Sequence, residues 1–215
     1  MNPNITNTSQ SLIINSYYGY SCNDKNRLQK NREIEQKYAA NKLMSTTKGI
    51  SEILNTKILH TSQHSFEPSG TSLSSIIESD DVIFGSSGIA HLNESHISFH
   101  SYFENSINNL IILRLELHVS SCSRKCVYTV LNDLIENSLF NNYDAITLDF
   151  FHRGINLEKI KADKKILSLF LQKHQIEFNT ISNDSFESFK HYKLIKKEEK
   201  IKIPELNNYL CDYLL

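Results

Sequence analysis

Residues 110–119 read LIILRLELHV. Ile111, Leu113, Leu115, Leu117 and Val119 alternate with Ile112, Arg114, Glu116 and His118. A period of two predicts a strand with one face in a core, the habit of antiparallel sheets. The run is broken by charge and is far too short to cross a bilayer. Downstream, Val127, Val130, Leu131, Leu134 and Ile135 fall at i, i+3, i+4, i+7 and i+8, the stripe of an amphipathic helix that includes Cys126. DAITLDFF (144–151) reads as the next strand.

Working outward, LIINSYYGY (12–20) is β-branched and aromatic and predicts a strand. Residues 24–38 interleave both charge signs and predict a solvated helix. Leu43, Met44, Ile50, Ile53 and Leu54 give residues 40–55 one apolar helical stripe. Residues 57–66 and 72–79 read as strands around a turn at Glu67-Pro68-Ser69-Gly70. Ile160–Gln172 is helical in pattern, IEFNTIS (176–182) strand-like, and Pro204 opens a final helix. Residues 1–10 are polar and unanchored. The expected fold class is α+β: a two-layer sandwich of an antiparallel sheet with helices packed on one face, one domain over 1–215.

The chain has 215 residues with 23 Lys+Arg and 24 Asp+Glu, a net charge of −1. A balanced chain lacks the cationic footprint of a dedicated nucleic-acid binder. Apolar residues make up 40 %, enough for a core and against wholesale disorder. Four cysteines are too few for a disulfide scaffold. MNPNITNTSQ (1–10) has no Lys, Arg or apolar run, so no signal peptide is expected. The expectation is a cytoplasmic protein with reduced thiols and neither nucleic acid nor membrane as partner.

Residues 91–104, HLNESHISFHSYFE, hold His91, His96 and His100. In a strand, His96 and His100 share a face with Ser98 between them. That spacing is compatible with metal ligation, but no CxxC or HExxH pattern supports zinc, and the reading is of no metal site. A His-cluster metallohydrolase stays open as an alternative. Cys122 and Cys126 are spaced C-x3-C around Arg124 and Lys125, cationic neighbours of the kind that can make a thiol reactive, while a buried or incidental free cysteine is the default reading of each.

The stretch Glu94-Ser95-His96-Ile97-Ser98-Phe99-His100, followed by Val119-Ser120-Ser121-Cys122, resembles the prokaryotic S-adenosylmethionine decarboxylases. Phe66-Glu67-Pro68-Ser69-Gly70-Thr71-Ser72 is similar to that family's aromatic-E-P-x-G-x-S segment, and Arg153-Gly154 to a later R-G. The longer bacterial branch is the better match, clearest over residues 11–155.

The resemblance implies self-cleavage between Glu94 and Ser95 into a β chain, 1–94, and an α chain, 95–215. Ser95 becomes a pyruvoyl group that takes the substrate amine as a Schiff base, the electron sink that decarboxylation requires. By the same resemblance His100 removes a proton during processing, Ser72 assists it, and Cys122 reprotonates the substrate carbon. Phe66 and Tyr102 stack on adenine, and Glu104 binds the ribose. The implied substrate is S-adenosylmethionine, the product an aminopropyl donor for spermidine, and the assembly a homo-oligomer of αβ units, dimer or tetramer. Magnesium is implied as an optional activator, for which no Asp/Glu cluster in the sequence marks a site. Two departures stand out: Phe103 replaces the family's proline before Glu104, and Ser123 replaces the glycine after the cysteine. They motivate a second reading, an inactive relative serving as a regulatory or structural subunit.

Overall fold

The computed structural model describes residues 9–65, 71–79, 94–104, 109–121, 125–137, 140–153, 157–173, 179–186, 189–197 and 203–214. Eight strands form one sheet in the order β2-β3-β4-β5-β1-β6-β8-β7, and every neighbouring pair is antiparallel. The strands are β1 (Ser9–Ser21), β2 (Thr56–Ser65), β3 (Thr71–Ser79), β4 (Glu94–Glu104), β5 (Leu110–Ser121), β6 (Ala145–Arg153), β7 (Asn179–Phe186) and β8 (Phe189–Lys197). The helices are α1 (Arg27–Lys37), α2 (Ala40–Ile53), α3 (Leu131–Asn137), α4 (Leu157–Lys173) and α5 (Pro204–Leu214), with a 3-10 turn at Val127–Val130.

The alternation of β5 is realised as expected. Leu113, Leu115, Leu117 and Val119 pair with Tyr18, Ser16, Ile14 and Leu12 of β1. All but Ser16 join one buried core with Ile97 and Phe99 of β4 and Ile146, Leu148 and Phe150 of β6. Ile34 of α1, Leu43 and Ile50 of α2, Leu131 and Leu134 of α3 and Phe170 of α4 pack into the same core. One sheet face thus carries four helices, the expected sandwich. α1 buries only Ile34, as its mixed charges predict. α2 ends at Asn55, whose φ of 54° is a left-handed conformation that asparagine tolerates after a helix.

The final helix goes beyond that expectation. Leu206 and Leu210 of α5 pack with Tyr17, Leu110, Ile112 and Ala145, a second cluster on the other sheet face. Gly19 makes this possible: a Cβ there would lie 2.7 Å from Leu206 Cδ2. Its N–H donates to Asp144 Oδ2 at 2.8 Å, tying β1 to the start of β6. The expected single helix around Cys126–Ile135 also divides. Cys126 is extended (φ −74°, ψ 123°), a 3-10 turn follows, and α3 begins only at Leu131. β8 was hidden by lysines at 190, 193, 196 and 197, which break the apolar alternation.

Gly19→Val is expected to destabilise the fold by about 1–3 kcal/mol through overpacking. Leu206→Ala alone should cost about 2–5 kcal/mol. In the double variant the costs should be clearly sub-additive, because the smaller side chain makes room for the new one. Urea denaturation of the three variants measures this; full additivity would mean that α5 does not rest on Gly19.

Candidate active site

β4 begins at the bond that the resemblance marks for cleavage. Glu94 and Ser95 are its first two residues, with Glu78 and Ile77 of β3 as register partners. The pattern of β4 follows from its place beside the core. Ile97, Phe99 and Ser101 are buried on the helix side. His96, Ser98, His100 and Tyr102 fall on the opposite face, opposite Ser120, His118, Glu116 and Arg114 of β5. His96 and His100 therefore share a face across Ser98, as alternation predicts.

On that face the side chains form a continuous polar and aromatic row. The His96 and His118 rings meet edge to face at 4.7 Å. His100 stacks on Tyr102 at 5.8 Å with an interplanar angle of 16°. The Arg114 guanidinium lies 4.2 Å from the Tyr102 ring centroid, a cation–π contact. Its Nη1 is 3.4 Å from Glu116 Oε2. At the row's end Ser11 Oγ donates to Ser120 Oγ at 2.9 Å. Nothing in the sequence singled out Arg114, Glu116 or His118 as a group; only the β4–β5 register brings them beside His100.

Burial disfavours the charged form of both paired imidazoles. It lowers the pKa of His96. It pushes His118 down to about 4, with the charges of His96 and His100 adding to the effect. His118 Nε2 is enclosed and has no hydrogen-bond partner. No group of three or more His, Cys, Asp or Glu able to hold a metal occurs among the described residues.

The structure brings some of the expected residues together and separates others. Ser72 of β3 takes the register position opposite His100. Tyr102 is next to His100 on the same face, and Glu104 closes β4 opposite Ile112. Ser95 and His100, however, lie on one uninterrupted strand. Five residues of extended chain separate them by roughly 17 Å, and Tyr102 lies roughly 23 Å from Ser95. Phe66, His91 and Cys122 are outside the described residues. Ser121 ends β5, so the cysteine follows directly on the strand that pairs with β4. Phe103, which stands in place of the proline, continues β4 in register with Leu113 of β5.

The histidine pair sets a pH dependence. Both imidazoles have lowered pKa values in the fold and are neutral there, so the unfolded chain binds more protons in acid. Stability should hold above about pH 6.5 and decline as pH falls towards about 4. His118→Asn should flatten that decline. Urea midpoints between pH 7.5 and 4 measure it, and equal slopes for both proteins would remove His118 from the account.

No helix among the described residues is long and apolar enough to cross a membrane. No family model matches the chain. Curated bacterial proteins do match over most of its length. It is 29 % identical over 230 residues to the S-adenosylmethionine decarboxylase proenzyme of Hahella chejuensis, covering 95 % of this chain and 83 % of that protein. It is 25 % identical over 210 residues to the protein of the same name from Xanthomonas oryzae pv. oryzae (strain PXO99A), covering 87 % and 78 %. It is 26 % identical over 185 residues to that of Stenotrophomonas maltophilia (strain R551-3), covering 78 % and 69 %. Over most of its length, the chain is thus a sequence relative of the bacterial S-adenosylmethionine decarboxylase proenzymes, the family its motifs resemble.

Proposed function

We propose that the chain is the proenzyme of a pyruvoyl-dependent S-adenosylmethionine decarboxylase. The observation that carries this reading is the kinship over 95 % of the chain, joined to a strand whose first residues are the Glu94–Ser95 pair. Serine suits self-cleavage because its hydroxyl is first a nucleophile and then a leaving position. Ser95 Oγ attacks the Glu94 carbonyl carbon, the C–N bond breaks, and the amine takes the proton that the hydroxyl loses. The result is an ester. Removal of the residue-95 Cα proton then expels the Glu94 carboxylate and leaves a dehydroalanine. Its hydrolysis releases ammonia and leaves a pyruvoyl group on chain 95–215, with chain 1–94 ending in a carboxylate.

The pyruvoyl group supplies an electron sink for loss of CO2 from the substrate. The chain's own residues do the rest. Cys122 reprotonates the substrate carbon, a task that a positioned thiol performs as a general acid. Phe66 and Tyr102 hold the adenine by stacking, and Glu104 takes the ribose hydroxyls. His100, paired in register with Ser72, serves proton removal in processing. The product is the aminopropyl donor for spermidine, made in the cytoplasm.

The straightness of β4 bears on the assembly. Roughly 23 Å between Ser95 and Tyr102 exceeds the reach of one S-adenosylmethionine molecule. Roughly 17 Å separates His100 from the bond it attends. Both spans favour a homo-oligomer of αβ units in which the β4 face of one unit serves the Ser95 end of another. Co-expression of Ser95→Ala with His100→Ala should then restore part of the activity that each lacks alone; no restoration would confine each site to one chain.

Freshly purified protein should show two chains on a denaturing gel, and intact mass should report the pyruvoyl end on 95–215. Ser95→Ala should remain a single 24.8 kDa chain without activity. A cleaved Ser95→Ala would overturn the assigned bond, and an uncleaved native protein would favour the inactive subunit. Cys122→Ala should process normally yet lose turnover by about 10²-fold or more, the usual contribution of a positioned acid. Unchanged turnover would assign the protonation elsewhere.

A further inference from the structure

Three polar residues are buried at the end of the sheet where β4 starts. Gln10, Ser121 and His152 are 1 %, 2 % and 4 % exposed. They form one row across three strands: Ser121 of β5 pairs with Gln10 of β1, and Gln10 pairs with His152 of β6. The antiparallel register of β4 and β5 ends at His96↔Ser120. Extrapolated by one step, that register sets the position of Ser121 across from that of Ser95. Ser121, Gln10 and His152 lie on the face that the helices cover.

Gln10 also has a fixed task. Its Oε1 accepts the N–H of Val127 at 3.1 Å, so one side chain joins the start of β1 to the first residue of the 3-10 turn. Tyr128 O–H donates to Phe151 O at 3.3 Å and fastens the same turn to β6. Lys125 Nζ donates to Ile53 O at 2.9 Å, linking the residues before the turn to the end of α2. Buried polar groups in a sheet core cost stability unless they are satisfied or used. Ser16, Ser101, Thr147 and Asp149 are buried elsewhere along the sheet, and these three share the end where the Glu94–Ser95 pair opens β4.

We propose that Ser121 is a processing residue: its hydroxyl attends the Glu94–Ser95 bond during the first step of self-cleavage, with Gln10 and His152 as positioning residues behind it. This rests on the reading of the chain as a self-cleaving proenzyme. In that step the Ser95 oxygen adds to the Glu94 carbonyl carbon and the carbonyl oxygen gains negative charge. Ser121 Oγ–H donates to that oxygen, and no proton is lost from Ser121. The charge then collapses as the C–N bond breaks to give the ester. A preorganised donor in a water-poor site is the device that stabilises such charge. By the extrapolated register the row falls at the Ser95 end of the strands, whereas His100 and Ser72 lie roughly 17 Å along them, so the two groups divide the steps between them.

The test follows cleavage of the freshly synthesised full chain on denaturing gels, with and without hydroxylamine, which splits esters but not amides. Ser121→Ala should slow cleavage by about tenfold or more without accumulating an ester that hydroxylamine splits. Ser121→Thr, which keeps the hydroxyl, should cleave close to the native rate. Native-rate cleavage of a folded Ser121→Ala would overturn the proposal, and so would a slow variant that accumulates ester. Should Ser121→Ala fail to fold, Gln10→Leu against Gln10→Glu reads the same contrast. Only the glutamate keeps the acceptor for Val127 N–H, so only Gln10→Leu should be slow, and equal rates would overturn the proposal. If the native chain itself stays whole, the proenzyme reading has failed and not this assignment alone.

Discussion

The pairing of β1 with β5 is the constraint on which the rest of the molecule depends. It sets Leu12 against Val119 and Ile14 against Leu117, one buried row after another. A slip by one residue would turn every one of these side chains to the other face, so the register is held by the core itself. β1 also pairs with β6 along its other edge, which makes it the centre strand between the two halves of the sheet. The same ladder that buries leucines on one face necessarily lines up Arg114, Glu116 and His118 on the other. Core and polar row are two consequences of one register.

That register also sorts the chemistry by position along the strands. The His100, Tyr102, Arg114 and Glu116 group occupies the middle of β4 and β5, on the face away from helices α1–α4. Ser95, Ser121, Gln10 and His152 occupy the end of the sheet, and the last three are buried. A strand holds residues far apart along its length, unlike a helix or a tight loop. Residues that are near neighbours in the motif, such as Ser95 and His100, are thereby kept apart. The motif spacing and the working distance are different quantities here.

Much of the architecture was legible because hydrophobic periodicity is a local signal. The period-two run of β5 and the stripe of α2 required no knowledge of their partners. β8 was not legible, because its lysines hide a strand that exists by pairing with β6 and β7. The placement of α5 was not legible either. Its amphipathic pattern says that one face is buried but not against what, and the vacancy left by Gly19 is a tertiary fact. The break between Cys126 and α3 depends on Val127 N–H finding Gln10 rather than a helical carbonyl.

The amino-acid sequence by itself determined the fold class, the motifs that carry the candidate chemistry, and the kinship with S-adenosylmethionine decarboxylase proenzymes. These follow from residue types and spacings that survive without a fold. Only the tertiary structure decided which residues share a neighbourhood. It set Ser72 opposite His100, put Arg114 on the Tyr102 ring, and drew Gln10, Ser121 and His152 into one buried row. The physical reason is that side-chain proximity in a sheet is set by register between strands distant in sequence, and register is a property of the closed core.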